Sequence, residues 1–396
     1  MSHLRRHLLA VALGFVVFGA AFVSLPGAVD VLTGAPPGDA DLVRPTLYVL
    51  IAPLSNTLDA LTFLSLERAK AFLLSWVVLL AVWGALRRGS GRRRLVRAVL
   101  GALIPVGFAV AAVLLPRPVP RLVTTEPGVS VLDFHSHTKA SHDGRPGWTL
   151  ESVAAWHAAQ GFQAAYITDH NKPSAGSIDA AIPLLPGVEW SVYRQHIVAL
   201  GDSAPLDLAP YSRDTPGMLG LFAALHTMGA LAIGSLPEYW VNHREDLEQF
   251  VTAGVDGFEI VNCAPKALAF RSSARDDVID LARHHDLLVT GASDNHGWGR
   301  VTCVWNLSIA GAHGFASNHV VARPLAFQQG DLPAASAGWS QFWLMFRTIS
   351  WPERISWLTW IALIAIWRDP RRRKGQGAGL GILARSLGSR PAEEAS

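Results

Sequence analysis

The chain has very few cysteines. Its 396 residues include only Cys263 and Cys303, which lie far apart and belong to no Cys-x-x-Cys pair. A small disulfide scaffold and a cysteine-based zinc module are therefore both excluded. Two buried thiols are the favoured interpretation, and one bridge between the two cysteines is the alternative.

Charge is also scarce. Only 16% of the residues are charged and the formal net charge is +3, whereas 50% of the residues are hydrophobic. A soluble domain usually carries more charge. The arginines lie in clusters beside apolar runs, as in RRGSGRRRLVR at 87–97, and do not spread over a broad basic face. We therefore expect the lipid bilayer as a partner, and we do not expect sequence-specific binding of nucleic acid.

Long apolar runs occupy the N-terminal region, residues 1–121. Three of them approach the ~20 residues that cross a bilayer as a helix, and they cover about 8–29, 71–86 and 99–115. The first run could be a cleaved signal peptide, but the further runs behind it favour a retained span. The run at 48–66 contains a proline and two polar residues, so it is ambiguous between a span and an interfacial helix.

The C-terminal region, residues 331–396, holds one more apolar segment. This segment covers about 351–367, is bordered by tryptophans and precedes the basic stretch RDPRRRK. Basic flanks mark the cytoplasmic side, and both basic clusters fall on that side when 48–66 does not cross. The domain between them, residues 122–330, is then predicted to lie outside the cytoplasm, in a multi-pass protein of the cell membrane. The tail from Gly375 onward is predicted to be disordered.

Within 122–330, short apolar runs alternate with helical stretches. The candidate strands are 129–134, 164–168, 196–200, 230–234, 257–261, 287–291 and 301–309. The candidate helices are 151–160, 217–228, 243–253 and 272–285. This alternation is typical of an α/β fold with a parallel sheet built from βα units, in which residues at the strand ends form the site.

Histidines and carboxylates recur where these strands end. His135 and His137 follow the first strand, and residues two apart on a strand point to the same side. Further candidates come near later strands: His142, Asp143, Asp169, His170, Glu189, His196, Glu259, Asp294 and His296. One histidine at a strand end is more often structural, but this recurrence favours a metal site. Imidazole with carboxylate suits zinc, manganese or iron.

Five other histidines lie on predicted helices or in polar loops, away from these strand ends. We interpret them as surface or packing residues: His157, His284, His285, His313 and His319.

The motifs together resemble the PHP family, the polymerase-and-histidinol-phosphatase metal-dependent phosphoesterases. The matching stretches are DFHSHT with SHDG, ITDHN, GVE with a following histidine, and ASDNHG, and they cover roughly 130–300. The resemblance implies a distorted seven-stranded β/α barrel, flanked here by transmembrane helices, with two or three divalent ions at the strand ends. The residues at matching positions would be ligands: His135, His137, His170, Glu189, His196, Asp294 and His296.

Two positions differ from the family pattern or leave it open. The family varies between a ligand five and a ligand six residues after the His-x-His pair, which here are His142 and Asp143; we favour Asp143. The family usually has Ala-His-Pro after the middle strand, where this chain has Ser235-Leu236-Pro237. One ligand is therefore missing, unless His226, Glu238 or His243 takes its place.

The expected activity is hydrolysis of a phosphate mono- or diester at the membrane. Two or three divalent ions, Zn, Mn or Fe, would activate the attacking water, while Asp294 or His170 would handle the proton. Arg300 or Arg194 would hold a phosphate oxygen, and Asp169 would accept a hydrogen bond from a ligating imidazole. The substrate would be a phosphorylated small molecule or a lipid head group.

Other functions fit parts of the sequence. Related metal barrels also hydrolyse C–N or ester bonds, so an amidohydrolase-like enzyme is the first alternative. A non-catalytic metal-binding sensor would use its metal only for folding. A transporter has less support, because the apolar segments are few and carry little charge apart from Asp59. The chain has no glycine-rich phosphate loop, GxSxG elbow or Rossmann motif, so nucleotide-driven phosphoryl transfer and serine hydrolysis are not supported.

Overall fold

A computed structural model gives the fold and describes residues 2–174, 180–192, 195–202, 204–211, 214–311 and 314–367. The strands are β1 Val29–Asp30, β2 Ala40–Val43, β3 Arg121–Thr124, β4 Val129–Ser136, β5 Ala164–Ile167, β6 Leu184–Val192, β7 Gln195–Leu200, β8 Leu231–Ser235, β9 Gly257–Asn262, β10 Leu288–Ala292, β11 Val304–Gly311 and β12 Gly314–Ala322. The helices are α1 Ser2–Gly19, α2 Thr46–Leu50, α3 Ala52–Thr62, α4 Leu66–Leu86, α5 Gly91–Leu114, α6 Leu150–Gln160, α7 Thr215–Thr227, α8 Trp240–His243, α9 Leu247–Thr252, α10 Ser272–His284, α11 Pro324–Phe327, α12 Ala337–Thr348 and α13 Trp351–Trp367.

Ten strands form one curled, mixed sheet in the order β1-β12-β11-β4-β5-β6-β7-β8-β9-β10. Strands β4 to β6 are parallel, as are β8 to β10, whereas β7 is antiparallel to both of its neighbours. The sheet curls back on itself: the amide of Asp294, just after β10, donates to the carbonyl of His135 in β4 at 2.9 Å. Asn306 in β11 also links β4 to β10, since its side chain donates to the carbonyls of Leu132 and Gly291. The result is a half-barrel.

The predicted alternation of strands and helices is confirmed, but the predicted strand count is wrong. The sheet has ten strands where seven were expected, and it is mixed where a parallel sheet was expected. The three further strands are β1, β6 and β12; β11, β12 and β1 extend the sheet in antiparallel fashion beyond β4. Strand β6, which carries Glu189, was not predicted, because the Pro186-Gly187 pair within it is typical of a turn.

The segment that covers 48–66 forms α2, α3 and the start of α4. Asp59 in α3 is fully buried and lies 3.1 Å from both Arg117 and Arg323, and Tyr48 also donates to it. A buried carboxylate requires such partners. These contacts hold α2 and α3 against the domain, and they tie the N-terminal region to β12 through Arg323.

Two helices, α4 and α5, are long and apolar enough to cross a membrane. Two other apolar helical segments are shorter: His7–Val23, which covers most of α1 and the 3-10 turn after it, and α13, with 17 residues. Helices α1 and α13 pack against each other, and Arg354 of α13 donates to the carbonyl of Val17 at 2.9 Å. The described residues thus contain two candidate spans. The four spans predicted from the sequence remain a prediction, and the basic stretch from Arg368 lies outside the described residues.

Cys263 and Cys303 form a disulfide bond, so the prediction of two free buried thiols is wrong. The fold brings the residue after β9 next to the residue before β11, with 5.8 Å between the two Cα atoms, although 40 positions separate them in sequence. Disulfides persist mainly in oxidising compartments.

Helices α4 and α5 form an antiparallel hairpin that packs backbone to backbone at two glycines. A Cβ atom on Gly101 would lie 2.6 Å from the carbonyl oxygen of Leu80, and one on Gly84 would lie 2.6 Å from that of Arg97. Small residues permit this close approach of membrane helices.

We therefore expect Gly101→Leu to destabilise the detergent-solubilised chain by about 1–3 kcal/mol, because the added side chain overpacks the hairpin. Gly107→Leu in the same helix is the control, since a Cβ atom there meets nothing within 4 Å. The measurement is thermal unfolding. Equal midpoints for the two variants would contradict close packing at Gly101.

Candidate metal centre

The carboxyl end of β4 brings His135 and His137 into the interior of the half-barrel. Both imidazoles are fully buried, and their Nε2 atoms lie 3.0 Å apart. They face the same way because they are two residues apart on a strand. Asp133, two residues before His135, accepts a hydrogen bond from the amide of Ser293 at 3.0 Å and thereby attaches β4 to the end of β10.

His157 contributes to this attachment. It is fully buried, and its Nε2 lies 2.8 Å from the carboxylate of Asp133. Its interpretation as a packing residue is therefore consistent with the structure, but it does have a carboxylate partner, which the sequence did not reveal because β4 and α6 meet only in the fold. His284 and His285 are exposed, and His313 lies outside the described residues.

Glu189 in β6 lies at the centre of the cluster. Its Oε2 is 3.2 Å from His135 Nε2, 3.3 Å from His137 Nε2 and 2.9 Å from His170 Nδ1. Its Oε1 contacts Nδ1 of His196. Burial alone would raise the pKa of Glu189, but the surrounding histidines, above all His135, hold it well below its ordinary value. The carboxylate is therefore ionised and lies among nitrogen donors that could hold a divalent cation together with it.

A second part of the cluster surrounds Asp294 and Asp143. Asp294 Oδ1 is 3.1 Å from His137 Nε2 and 3.4 Å from His296 Nδ1, and Asp143 Oδ1 is 3.1 Å from His296 Nε2. Burial opposes ionisation of both carboxyls, but the neighbouring histidines lower the pKa of each below its usual range. Asp294 has a φ of 45°, a strained conformation for a residue with a side chain and one that is common at functional sites.

His142 and Asp143 were left as alternatives by the sequence. Asp143 makes the contact with His296 described above and lies 3.7 Å from His170 Nε2. The side chain of His142 is 78% exposed, and its Nδ1 approaches only to 3.9 Å from Asp143. The geometry therefore favours Asp143 as the ligand and places His142 at the rim.

The donor set fits divalent cations. Ligand atoms lie within 4.8 Å of one another in three overlapping groups: His137, His170 and His296; His135, His137 and Asp294; His142, Asp143 and His170. The Nε2 atoms of His135 and His137 lie 3.0 Å apart, and those of His170 and His296 lie 3.4 Å apart. A neutral imidazole has only one N–H to donate, so nitrogen lone pairs are directed into the cluster. Asp294 Oδ1 is buried and accepts no well-directed hydrogen bond. Lone pairs that converge in this way suit a bound cation such as Zn, Mn or Fe.

Glu259 in β9 orients His135. Its Oε1 is 2.6 Å from His135 Nδ1, and its Oε2 accepts a hydrogen bond from the hydroxyl of Ser235. A carboxylate on Nδ1 fixes the tautomer and turns the Nε2 lone pair towards the cluster. Burial alone would lower the pKa of His135, but Glu259 and then Asp294 and Glu189 raise it well above its ordinary value.

The predicted direct contact between Asp169 and a ligating imidazole is wrong. Asp169 accepts hydrogen bonds from Thr138 and from the hydroxyl of Ser141, and it is Ser141 that lies 2.9 Å from His137 Nδ1. Asp169 therefore positions His137 through Ser141. The serine stands in the SHDG motif, but a serine in a loop gives no sequence signal for such a role.

The Ser235-Leu236-Pro237 segment supplies no ligand. Leu236 is fully buried in the apolar core. Of the three possible substitutes, His226 pairs with Asp256, His243 is buried beside Phe250, and Glu238 lines the cavity at the site, where it pairs with Lys266.

Arg300 does not take the predicted position on a phosphate. Its guanidinium donates to the carbonyls of Val113 and Leu114 at 2.7 and 2.9 Å, and so caps the C-terminal end of α5, where a cation is favoured by the helix dipole. Arg194 lies outside the described residues. Lys266, which lines the cavity and was not singled out from the sequence, is a cation at the site.

No family model matches the chain, and no curated protein matches it. Among solved structures, a provisionally named metal-dependent phosphoesterase from Bifidobacterium adolescentis matches 42% of this chain and 88% of its own, with 18% identity and a TM-score of 0.34. PsfC from Pseudomonas syringae matches 47% of this chain and 84% of its own, with 17% identity and a TM-score of 0.36. The lesion-specific endonuclease PfuEndoQ from Pyrococcus furiosus matches 45% of this chain and 52% of its own, with 14% identity and a TM-score of 0.31. Similarity at this level does not transfer an activity.

The contact of Glu259 with His135 predicts that Glu259→Gln lowers the affinity for Zn²⁺ or Mn²⁺ by about 10–100-fold, because the ligating imidazole loses its orienting carboxylate. The measurement is titration of the metal-free chain by calorimetry. Glu248→Gln, on the exposed face of α9, is the control. An unchanged affinity in Glu259→Gln would refute the orienting role.

Proposed function

We propose that the chain is a membrane-anchored, metal-dependent phosphoesterase. The observation that carries the proposal is the convergence of four imidazoles on the buried carboxylate of Glu189, next to Asp294 and Asp143. A bridging carboxylate with flanking histidines is the arrangement expected of a centre with two ions. The motif resemblance to the PHP phosphoesterases supports the same conclusion independently of the geometry.

We assign a separate role in the reaction to each group of side chains at the site. Divalent ions bound here would activate water and neutralise charge on the phosphoryl group. The carboxylate of Glu189 contacts His170 and His196 as well as His135 and His137, and the last two supply buried nitrogen donors. His170 and Asp294, which both line the cavity, are the groups that we assign to take up a proton from the attacking water.

Lys266 is the side chain that we assign to a phosphate oxygen, in place of Arg300. Its Nζ lies 2.7 Å from Glu238 and 5.4 Å from the centre of the Tyr239 ring, on the cavity wall. The hydrogen bond with Glu238 raises the pKa of Lys266, so the amine is charged at neutral pH. A charged amine within the cavity binds an anionic ester as a point charge.

We further propose that the site lies outside the cytoplasm. The arginine cluster at 87–97 is at the turn between α4 and α5, whereas the opposite ends of both helices contact the domain, through Leu66 with Pro265 and through Leu114 with Arg300. Basic clusters favour the cytoplasmic side. The disulfide supports the same orientation, because Cys263 lines the cavity at the domain end of the helices.

The activity is tested with the full chain in detergent, loaded with Zn²⁺ or Mn²⁺. We expect two or more ions per chain by elemental analysis and hydrolysis of bis-p-nitrophenyl phosphate or of the mono-ester. Both His135→Ala and Asp294→Ala should lose turnover to the uncatalysed background, because each removes a buried ligand, while the exposed His284→Ala keeps it.

Turnover retained in both ligand variants would refute the proposed site. Bound metal without hydrolysis of either ester would favour a C–N or carboxylic ester hydrolase or a metal-binding sensor.

The orientation is tested by labelling with a membrane-impermeant maleimide. Both native cysteines are in the disulfide, so single cysteines can be added at exposed positions, as Glu126→Cys in the domain and Ser90→Cys in the arginine turn. In right-side-out membrane vesicles we expect Glu126→Cys to react at once and Ser90→Cys only after permeabilisation. The reverse pattern would place the site in the cytoplasm.

A further inference from the structure

A cavity of about 700 Å³ joins the metal centre to the two candidate membrane helices. Part of its wall consists of ligand side chains, including Asp143, His170 and Asp294. Another part is apolar and comes from the end of α3 and from α4 and α5: Leu61, Phe63, Phe72, Leu73, Ala109 and Ala112. One continuous space is therefore in contact with both anion-binding and hydrocarbon-binding surfaces.

The apolar part of the cavity wall favours a substrate that has an apolar part of its own. A phosphate ester that is polar throughout gains nothing from contact with Phe72 or Leu73, and it loses hydration there. A hydrocarbon chain gains roughly fourfold in affinity for each methylene that it buries. The cavity therefore suits an amphipathic ester better than a soluble one.

The position of the wall on the helices supports a membrane origin of that ester. The lining residues of α4 fall between Leu66 and Leu73, about 10 Å along the helix from its first residue. Leu66, which lines the cavity, is itself 44% exposed, so the wall of the cavity includes a residue of the molecular surface. Leu74 and Val110 are 67% and 51% exposed on the outer surfaces of the same helices, which face lipid if α4 and α5 span the membrane. The apolar wall thus continues into the lipid-facing surface.

We propose that the substrate is a lipid phosphate ester of the same membrane, with its phosphate at the metal centre and its hydrocarbon chain along α4 and α5. The proposal rests on the phosphoesterase activity proposed above and adds the substrate class. In the reaction, the oxygen of water bonds to phosphorus, the P–O bond to the leaving alcohol breaks, and a proton from water ends on the departing oxygen. No oxidant or further co-reactant is needed.

The test uses the full metal-loaded chain reconstituted in lipid vesicles. The probes are dioleoyl phosphatidic acid and dioleoyl phosphatidylglycerol, compared with glycerol 1-phosphate and glycerophosphoglycerol, which carry the same phosphate esters without the chains. Hydrolysis of bis-p-nitrophenyl phosphate measures the phosphoesterase activity that needs no hydrocarbon chain. We expect kcat/KM to be higher for at least one lipid than for its soluble counterpart.

Ala109→Trp, which fills the apolar part of the cavity, should lower the ratio of lipid to soluble-ester turnover by about tenfold or more, equivalent to two or three methylenes left unburied. Val110→Trp is the matched control, because the neighbouring side chain points outward and should leave the ratio unchanged.

Three results would overturn the proposal. Hydrolysis of bis-p-nitrophenyl phosphate without preference for either lipid would remove the substrate class and leave the phosphoesterase intact. An unchanged ratio in Ala109→Trp, or an equal fall in Val110→Trp, would remove the cavity as the chain-binding site. Failure to hydrolyse any of the esters would remove the proposed function itself, and this inference with it.

Discussion

The burial of charged and polar ligands around Glu189 is the constraint on which the rest of the structure depends. A carboxylate removed from water is costly unless it is paired, and here four imidazoles meet it at the carboxyl ends of several strands. The antiparallel strand β7 follows from the same need, because its pairing with β6 puts His196 beside Glu189. Hydrogen bonds to Glu259 and Ser141 then fix the imidazoles of His135 and His137.

The candidate metal centre and the two candidate membrane helices are parts of one packed unit. The start of α4 is bound through Leu66 to Pro265, close to the disulfide, and the end of α5 is bound through Arg300, four residues after His296. Arg68 near the start of α4 donates to the carbonyls of Leu332 and Pro333. A substrate bound between these elements would contact the helices and the ligands at the same time, which is the physical basis for the proposed lipid substrate.

Buried polar networks keep the N-terminal region in place beside the half-barrel. Asp59 pairs with Arg117 and Arg323, and Glu353 of α13 pairs with Arg44 and accepts from Asn56. Such pairs add little net stability but lose much when one partner is removed. They therefore specify how α2, α3 and α13 sit on the domain more than how stable the chain is.

The sequence alone determined the strand-and-helix alternation and most of the residues that converge at the candidate site, since a strand end followed by His-x-His or Asp-x-His is a local signal. The tertiary structure alone decided the partners that approach from distant elements: the disulfide, the Glu259 contact with His135, the Asp133 contact with His157, and the capping of α5 by Arg300. It also favours Asp143 over His142 as the ligand, a choice that the spacing left open. These choices depend on which elements become neighbours when the sheet curls. A residue's own sequence environment carries no record of a partner from another element, whether that partner is 24 positions away, as for Asp133 and His157, or 124, as for His135 and Glu259.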